Sequence, residues 1–238
     1  MKKILLLICI IGLFTPATLH AQDRANVFRH GKLDNGLTYY VRHTSMQPGK
    51  ADFYLVQNVG ALMEEDNQNG LAHFLEHMAF NGSESFKEGI PNFLKRRGVT
   101  RFNAQTGQDE TVYYMTAIPT NDTKLLDSCL LVMKDWSGFL LLKPDEIDKE
   151  RGVIREERRM RRNLGARLKE QSDPLVFNNS KYATRNVIGS EEIINNFTPE
   201  ELRAYYNDFY RPDLQAVIIV GDIDAAQIEV EIQRLFNP

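Results

Sequence analysis

The chain has 238 residues, of which 42% are hydrophobic and 26% are charged, and its formal net charge at pH 7 is −3. This composition is that of a globular protein with an adequate core, and it excludes a chain that is disordered over most of its length. A slightly acidic protein lacks the excess of basic residues that nucleic-acid binding requires, so we expect no nucleic-acid partner.

Residues 1–21 have the features of a secretory signal peptide. Two lysines precede an apolar run from Ile4 to Phe14, and the small residue Ala21 provides a cleavage site. The apolar run is too short to be a transmembrane helix. We therefore expect a periplasmic or secreted protein whose mature part, 22–238, is a single domain with no membrane span.

Cleavage of this leader would remove Cys9 and leave Cys129 as the only cysteine. One thiol cannot form an internal disulfide, so the domain must be stabilised by its core even in an oxidising compartment. Cys129 has apolar neighbours on a predicted helix, and nothing near it in the sequence would lower its pKa. We predict that it packs in the core and takes no part in catalysis.

Hydrophobic periodicity and turn residues predict strands and helices in mixed order. The predicted extended segments are a hairpin over 33–43 with its turn at Asn35-Gly36, and strands over 51–59, 111–118 and 214–220. The predicted helices are 71–80, 86–97, 121–142, 144–171, 198–210 and 224–236. Because the two kinds of element do not alternate strictly, we expect an α+β fold, a mostly antiparallel sheet with helices packed on one side.

The helix predicted over 71–80 contains the pentapeptide His73-Phe74-Leu75-Glu76-His77. Residues four apart lie on the same face of a helix, so His73 and His77 can bind one metal ion. Neutral imidazoles bind Zn²⁺ well, and a third ligand leaves the fourth position open for a water that is nucleophilic near neutral pH. Glu76 shares this face and is suited to be the general base. The alternative is an ordinary amphipathic helix with two surface histidines.

The helix predicted over 144–171 supplies a candidate third ligand. Glu150 and Glu157 are seven residues apart and share one face. The apolar residues of that face are Ile147, Val153, Ile154, Leu164 and Leu168. Two carboxylates in an apolar stripe are costly unless a cation or a hydrogen-bond donor meets them. We predict that Glu157 is a zinc ligand and that Glu150 orients a ligand or the water, whereas Glu156 points into solvent.

An alternative partner for these two glutamates stays open at this point. Arg151, Arg155 and Arg158 lie on the same predicted helix and could neutralise both carboxylates without a metal. In that case the helix would carry only surface ion pairs, which contribute little to stability.

The order H-x-x-E-H, followed by a second segment that starts at Glu150 and reads E-R-G-V-I-R-E-E, resembles the pitrilysin/insulinase family of inverted-zincin metallopeptidases. The resemblance covers nearly all of the mature chain, from 33–37 to 220–222. It implies a zinc-dependent endopeptidase acting on peptides or unfolded protein segments. Its ligands for one Zn²⁺ fall on His73, His77 and Glu157.

The same resemblance assigns further roles. It places the catalytic base at Glu76 and an accessory catalytic carboxylate at Glu150. The segment with Asn103 and Ala104 is similar to the family's edge strand, which binds substrate backbone by strand addition. From its polar composition alone the region 98–108 could be a simple connection, and the resemblance is what favours substrate contact there.

Members of this family usually have a second, homologous domain that closes a chamber over the zinc. The chain ends at Pro238, where only the first domain is complete, so we expect activity to need a second homologous domain or a partner subunit. Two other interpretations stay open. One is a non-catalytic subunit of the same fold, and the other is a zinc hydrolase of an ester or phosphate class, which a peptide-binding edge strand disfavours.

Overall fold

The computed structural model describes residues 28–178 and 180–237. The predicted signal peptide, 1–21, lies outside the described residues. Within these ranges six strands form one sheet in the order β1-β2-β6-β3-β5-β4. The strands are β1 (Phe28–Lys32), β2 (Thr38–His43), β3 (Lys50–Gln57), β4 (Phe102–Thr106), β5 (Thr111–Pro119) and β6 (Gln215–Gly221).

Neighbouring strands of this sheet pair antiparallel, except for β2 and β6, which are parallel. The prediction of a mostly antiparallel sheet is therefore confirmed. The hairpin and its turn are confirmed as well, because β1 and β2 pair across a turn in which Gly36 has a φ of 97°, but β1 lies before the predicted range 33–43. Glycine adopts this left-handed conformation without a steric penalty.

One face of the sheet forms part of the core. Along β3 the side chains alternate between buried and half-buried positions, and Phe53 and Leu55 are fully buried. Val217 and Ile219 of β6 repeat this pattern at the centre of the sheet. These residues belong to the same apolar cluster as the buried side chains of the helices. Alternation of this kind is expected for a sheet that is covered by helices on one face.

Nine α-helices lie in the described ranges. They are α1 (Leu71–Met78), α2 (Ile90–Arg96), α3 (Thr123–Gly138), α4 (Pro144–Arg161), α5 (Leu164–Val176), α6 (Lys181–Thr184), α7 (Glu191–Asn196), α8 (Pro199–Phe209) and α9 (Ala225–Phe236). Of these, α1, α3 and α9 pack against the sheet. Thr198 and Glu201 form a capping box at the start of α8, and Asp224 accepts hydrogen bonds at the start of α9. Within the described residues, no helix combines the length and the apolar character that crossing a membrane requires.

The prediction of one helix over 144–171 is wrong. Helix α4 ends at Arg161, and α5 begins at Leu164 after Asn163, whose side chain accepts a hydrogen bond from the Ala166 N–H. Asparagine at such a position favours a helix start over a helix interior.

The break also corrects the predicted apolar stripe. Leu164 and Leu168 are 65% and 57% exposed, and Val153 is 51% exposed. Only Ile147 and Ile154 of the predicted set are buried. Ile147 and Ile154 are seven residues apart, as Glu150 and Glu157 are. The buried apolar stripe beside the glutamates therefore consists of these two isoleucines and is smaller than the five residues predicted.

Cys129 is buried in α3, and burial raises the pKa of its thiol to about 12. A thiol that stays protonated at neutral pH is a poor nucleophile. The prediction that Cys129 packs in the core is confirmed.

Candidate metal centre

Helix α1 carries His73, Glu76 and His77 between the sheet and helix α4. Apolar residues on its other side pack into the core, and Phe74 and Leu75 are fully buried. His73 and Glu76 are also buried, at 3% and 9% exposure, because α4 and β4 cover this side of the helix. The candidate site is therefore a partly enclosed position between three elements.

The ligand atoms of three predicted residues converge at this position. The Oε2 atom of Glu157 lies 3.2 Å from Nε2 of His77 and 3.6 Å from Nε2 of His73. Two ligands bound to one tetrahedral Zn²⁺ are about 3.3 Å apart, given bond lengths near 2.0–2.1 Å. Glu157 Oε2 is buried and accepts no hydrogen bond within the described part of the chain. This arrangement of two imidazole nitrogens and one carboxylate oxygen fits Zn²⁺.

Glu150, which the sequence predicts to orient a ligand, contacts the imidazole of His77 on the side away from Glu157. Its Oε1 atom is 2.8 Å from Nδ1 of His77, so a proton on Nδ1 leaves Nε2 free to face Glu157. Burial lowers the pKa of His77, but the hydrogen bond to Glu150 and the surrounding carboxylates outweigh burial, and the net pKa is raised. Carboxylates in this position fix the ring and increase the basicity of the ligating nitrogen.

His73 is in a different electrostatic environment. Burial, with smaller effects of the neighbouring His77 and Arg161, lowers the pKa of His73 to about 3. The imidazole is therefore neutral at physiological pH, which is the form that binds a metal ion.

Glu76 lies on α1 with the two histidines, and a residue of β4 holds its carboxylate. Its Oε2 atom accepts a hydrogen bond of 2.5 Å from Oγ1 of Thr106. Burial raises the pKa of Glu76, while the bond from Thr106 and the neighbouring His77 lower it, and the net pKa is raised. A carboxylate with a raised pKa holds an abstracted proton more readily, as a general base must.

The arginines considered as alternative partners bind elsewhere. Arg151 donates to the carbonyl oxygens of Ile194 and Phe197, Arg155 donates to the side chain of Asn195, and Arg158 donates to the Gly189 carbonyl oxygen. A fourth arginine, Arg161, pairs with the other carboxylate oxygen of Glu157 and leaves Oε2 free. Glu156 is exposed and pairs with Arg159. The three predicted arginines thus do not neutralise the glutamate pair.

Asn103 and Ala104 lie on β4, the last strand of the sheet. The amide of Thr116 donates to the carbonyl of Arg101, which marks a hydrogen-bonded pair between β4 and β5. Because such pairs alternate along an antiparallel ladder, the backbone of Asn103 bonds to β5 and the backbone of Ala104 faces the free edge. The side chain of Asn103 is exposed, whereas that of Ala104 is buried towards α1.

Sequence reasoning missed Glu64, which controls the start of α1. Gly70, the residue before α1, has a φ of 108° and no side chain to cap the helix. The buried carboxylate of Glu64 accepts hydrogen bonds from the N–H groups of Gly70 (3.0 Å) and Ala72 (2.9 Å) instead. Lys181 and Arg185 donate to the backbone carbonyl of Glu64 and hold this loop in place. The only local signal was an N-terminus without a capping side chain.

The pKa of Glu64 predicts a pH-dependent stability. Burial raises this pKa, the hydrogen bonds from Ala72 and Gly70 offset the rise only in part, and the net pKa is about 7. In the unfolded chain the pKa returns to about 4.3. The folded state therefore binds more protons between these values, so the stabilising contribution is complete below the unfolded pKa and is lost as the pH rises through 7.

We expect the free energy of unfolding of the metal-free chain, relative to Glu64→Gln, to fall by about 2 to 3 kcal/mol from pH 5 to pH 8. Urea unfolding of both proteins at several pH values measures this difference, and contributions common to both proteins cancel. Glu84→Gln, a change at an exposed position, serves as the control and should follow the wild type. A constant difference between the wild type and Glu64→Gln would contradict the raised pKa.

Two family models match the chain. The insulinase model (peptidase family M16) matches residues 35–172, and the model of the peptidase M16 inactive domain matches residues 196–237. The first match includes the pentapeptide and α4. The second match includes β6, which lies between β2 and β3 in the same sheet.

The chain is similar to named proteases. It is 36% identical over 204 residues to the probable zinc protease PqqL of Haemophilus influenzae, a match of 84% of this chain and 22% of that protein. The crystal structure of the periplasmic protease PqqL from Escherichia coli matches with a TM-score of 0.83 and 32% identity, over 88% of this chain and 23% of that one. A protease structure from Helicobacter pylori matches with a TM-score of 0.78 and 27% identity, over 88% of this chain and 50% of that one.

The chain thus spans between about a fifth and a half of the length of these relatives. The insulinase model nevertheless matches more than half of this chain, and the match includes His73, Glu76, His77, Glu150 and Glu157. The protein therefore belongs to the insulinase family, peptidase family M16.

Proposed function

We propose that this chain is the metal-binding domain of a zinc-dependent endopeptidase that hydrolyses peptides or unfolded protein segments. The observation that carries the proposal is the convergence of two histidine Nε2 atoms and one buried carboxylate oxygen, all within 4.8 Å of one another. The helix that carries both histidines also carries the buried carboxylate of Glu76. The zinc proteases among the relatives support the same activity.

In this proposal His73, His77 and Glu157 hold one Zn²⁺, and Glu150 keeps His77 in the tautomer that binds. Bound zinc supplies a Lewis acid that activates water near neutral pH. Glu76 takes a proton from the water that attacks the peptide carbonyl and then passes this proton to the leaving amine.

The edge of β4 provides a means of aligning the substrate. The backbone N–H and C=O of Ala104 face the free edge, so an extended peptide can add to the sheet there. The exposed side chain of Asn103 lies next to this edge. Recognition through backbone groups suits an enzyme that accepts extended peptides of varied sequence.

We further propose that a second homologous domain, in the same protein or in a partner subunit, completes the catalytic chamber. Relatives that contain the matched region are two to four times longer than the match. A shorter structure, the first half of the E. coli protease PqqL, still extends well beyond the region covered, which is 45% of its length. By analogy with that periplasmic protease, and from the leader predicted over 1–21, we place this protein in the periplasm or outside the cell.

The competing interpretation is a half-site subunit of the same fold without activity of its own. The complete set of candidate ligands and base argues against a subunit that binds no metal, whereas a half-site subunit would bind zinc and need the second domain for turnover. The two interpretations differ in whether the chain turns over peptide when it is alone.

A quenched fluorescent peptide assay with metal analysis, on the purified chain alone and mixed with a C-terminal M16 domain, tests the proposal. We expect about one zinc per chain and turnover in at least one of the two samples. If the chain alone binds zinc but does not cleave the peptide, and mixing with the C-terminal domain restores turnover, the chain is a half-site subunit. Absence of zinc from the wild-type chain would refute the proposal.

A further inference from the structure

Thr106 connects the edge strand to the candidate base. Its hydroxyl donates to Glu76 Oε2 over 2.5 Å, and Glu76 is buried, so the hydrogen bond is short and charge-assisted. Across the ladder Thr106 pairs with Thr111, whose Oγ1 lies 3.4 Å from the Thr106 Oγ1 and donates to the Val59 carbonyl. The carboxylate of Glu76 is thereby joined to the sheet and not only to its own helix.

The position of Thr106 relative to α1 is set by the backbone. Immediately after β4, the chain turns at Gly107, and two backbone hydrogen bonds join this turn to the loop that precedes α1. They run from Ala61 N–H to the Gly107 carbonyl (3.1 Å) and from Leu62 N–H to the Gln108 carbonyl (2.9 Å). A rigid connection of this kind allows one hydroxyl to fix the orientation of a carboxylate on a neighbouring element.

The backbone of Thr106 faces the free edge of the sheet. Gly107 N–H donates to the Glu110 carbonyl, and this pair continues the alternation that begins at Arg101 and Thr116. The N–H and C=O groups of Thr106, like those of Ala104, therefore point away from β5. One residue thus presents its main chain to an incoming strand and its side chain to Glu76.

We propose that Thr106 is a positioning residue for peptide hydrolysis: its hydroxyl holds the Glu76 carboxylate in place while its backbone pairs with the extended peptide. The inference rests on the proposed function, because Glu76 is the base in that proposal. Pairing with a peptide restricts the motion of β4, and the hydrogen bond from Thr106 then restricts the Glu76 carboxylate as well. A misplacement of a base by about 1 Å costs on the order of 100-fold in rate.

The contact itself can be tested without metal or substrate. In a double-mutant cycle, the urea midpoints of unfolding are measured for Thr106→Val, Glu76→Ala and the double variant of the metal-free chain. We expect the double variant to shift the midpoint by clearly less than the sum of the single shifts, because each single change removes the same hydrogen bond. Thr116→Val is the control, since Thr116 lies half-buried on β5 with no side-chain hydrogen bond in the described ranges, and it should be additive with Glu76→Ala.

The positioning role is tested by turnover of the quenched fluorescent peptide. The assay uses the chain alone or the chain mixed with a C-terminal M16 domain, whichever sample cleaves the peptide with the wild-type chain. We expect Thr106→Val to lower kcat by about 10- to 100-fold and to change KM by less than about 2-fold, because the backbone that pairs with peptide is kept. Thr106→Ser keeps the hydroxyl and should restore most of the lost kcat. Zinc content should be equal in all of these variants.

Three outcomes would overturn the inference. They are additive midpoint shifts, an unchanged kcat in Thr106→Val, and a failure of Thr106→Ser to restore kcat although it folds and binds zinc. A wild-type chain that cleaves nothing, even with the C-terminal domain, contradicts the proposed function instead. The cycle then decides on its own whether Thr106 holds Glu76.

Discussion

Replacing Glu157 by glutamine is expected to abolish stoichiometric zinc binding. Its Oε2 atom is the shared neighbour of both histidine Nε2 atoms, and a neutral amide oxygen is a far weaker ligand for Zn²⁺ than a carboxylate. The loss of affinity should exceed the roughly 10- to 100-fold caused by changes to residues that only support a ligand. Metal analysis after dialysis, followed by titration against a chromophoric chelator, measures the affinity.

Glu156→Gln is the matched control for this experiment. Glu156 is the adjacent residue on α4, but it is exposed and pairs with Arg159. We expect this variant to keep its zinc. Equal zinc retention in Glu156→Gln and Glu157→Gln would remove Glu157 from the set of ligands.

Replacing Glu76 by glutamine should have the second large effect, which is on turnover and not on metal content. Glutamine preserves the shape of the side chain and can still accept the bond from Thr106, but it cannot take a proton. Removal of a general base lowers kcat by about 10²- to 10⁴-fold. The quenched-peptide assay measures kcat, and metal analysis of the same sample shows whether the zinc is kept.

Glu84→Gln, at an exposed position, is the control for a change from glutamate to glutamine in general. It should leave both turnover and zinc content unchanged. If Glu76→Gln cleaved peptide as fast as the wild type, Glu76 would not be the base, and the inference about Thr106 would lose its functional meaning.

The features that sequence reasoning predicted well depend on short-range geometry. The spacing of His73, Glu76 and His77 puts all three on one face wherever the segment is helical. The seven-residue separation of Glu150 and Glu157 acts in the same way, and both residues lie within α4. The predicted shared face of Glu150 and Glu157 is correct although one helix over 144–171 is not, because the break at Asn163 comes after Glu157.

The sequence predicts wrongly where the periodicity of one helix is continued past the residue at which that helix ends. Leu164 and Leu168 were assigned to the face of the glutamates, but they belong to α5 and are exposed. Helices α6 and α7 were not predicted at all. Both are short, and short helices depend on tertiary contacts more than on their own residues. For α7 such contacts include Arg151, which donates to the carbonyl of Ile194.

Sequence alone therefore determined the mixed α+β fold and the burial of Cys129. It also determined which residue types suited to metal binding share a helix face, namely the two histidines on α1 and the two glutamates on α4. Each of these features depends on local periodicity or on hydrophobicity. Only the tertiary structure showed that Glu64 caps α1, that Thr106 holds Glu76 and that Glu157 Oε2 meets both imidazoles. These contacts join residues between 6 and 84 positions apart, and no local pattern encodes them. The contacts of Glu64 and Thr106 form because packing α1 between the sheet and α4 buries polar groups, and a buried polar group without a partner is costly. Glu157 Oε2 accepts no hydrogen bond in the described part of the chain, and only the packing of α4 against α1 brings it to the imidazoles.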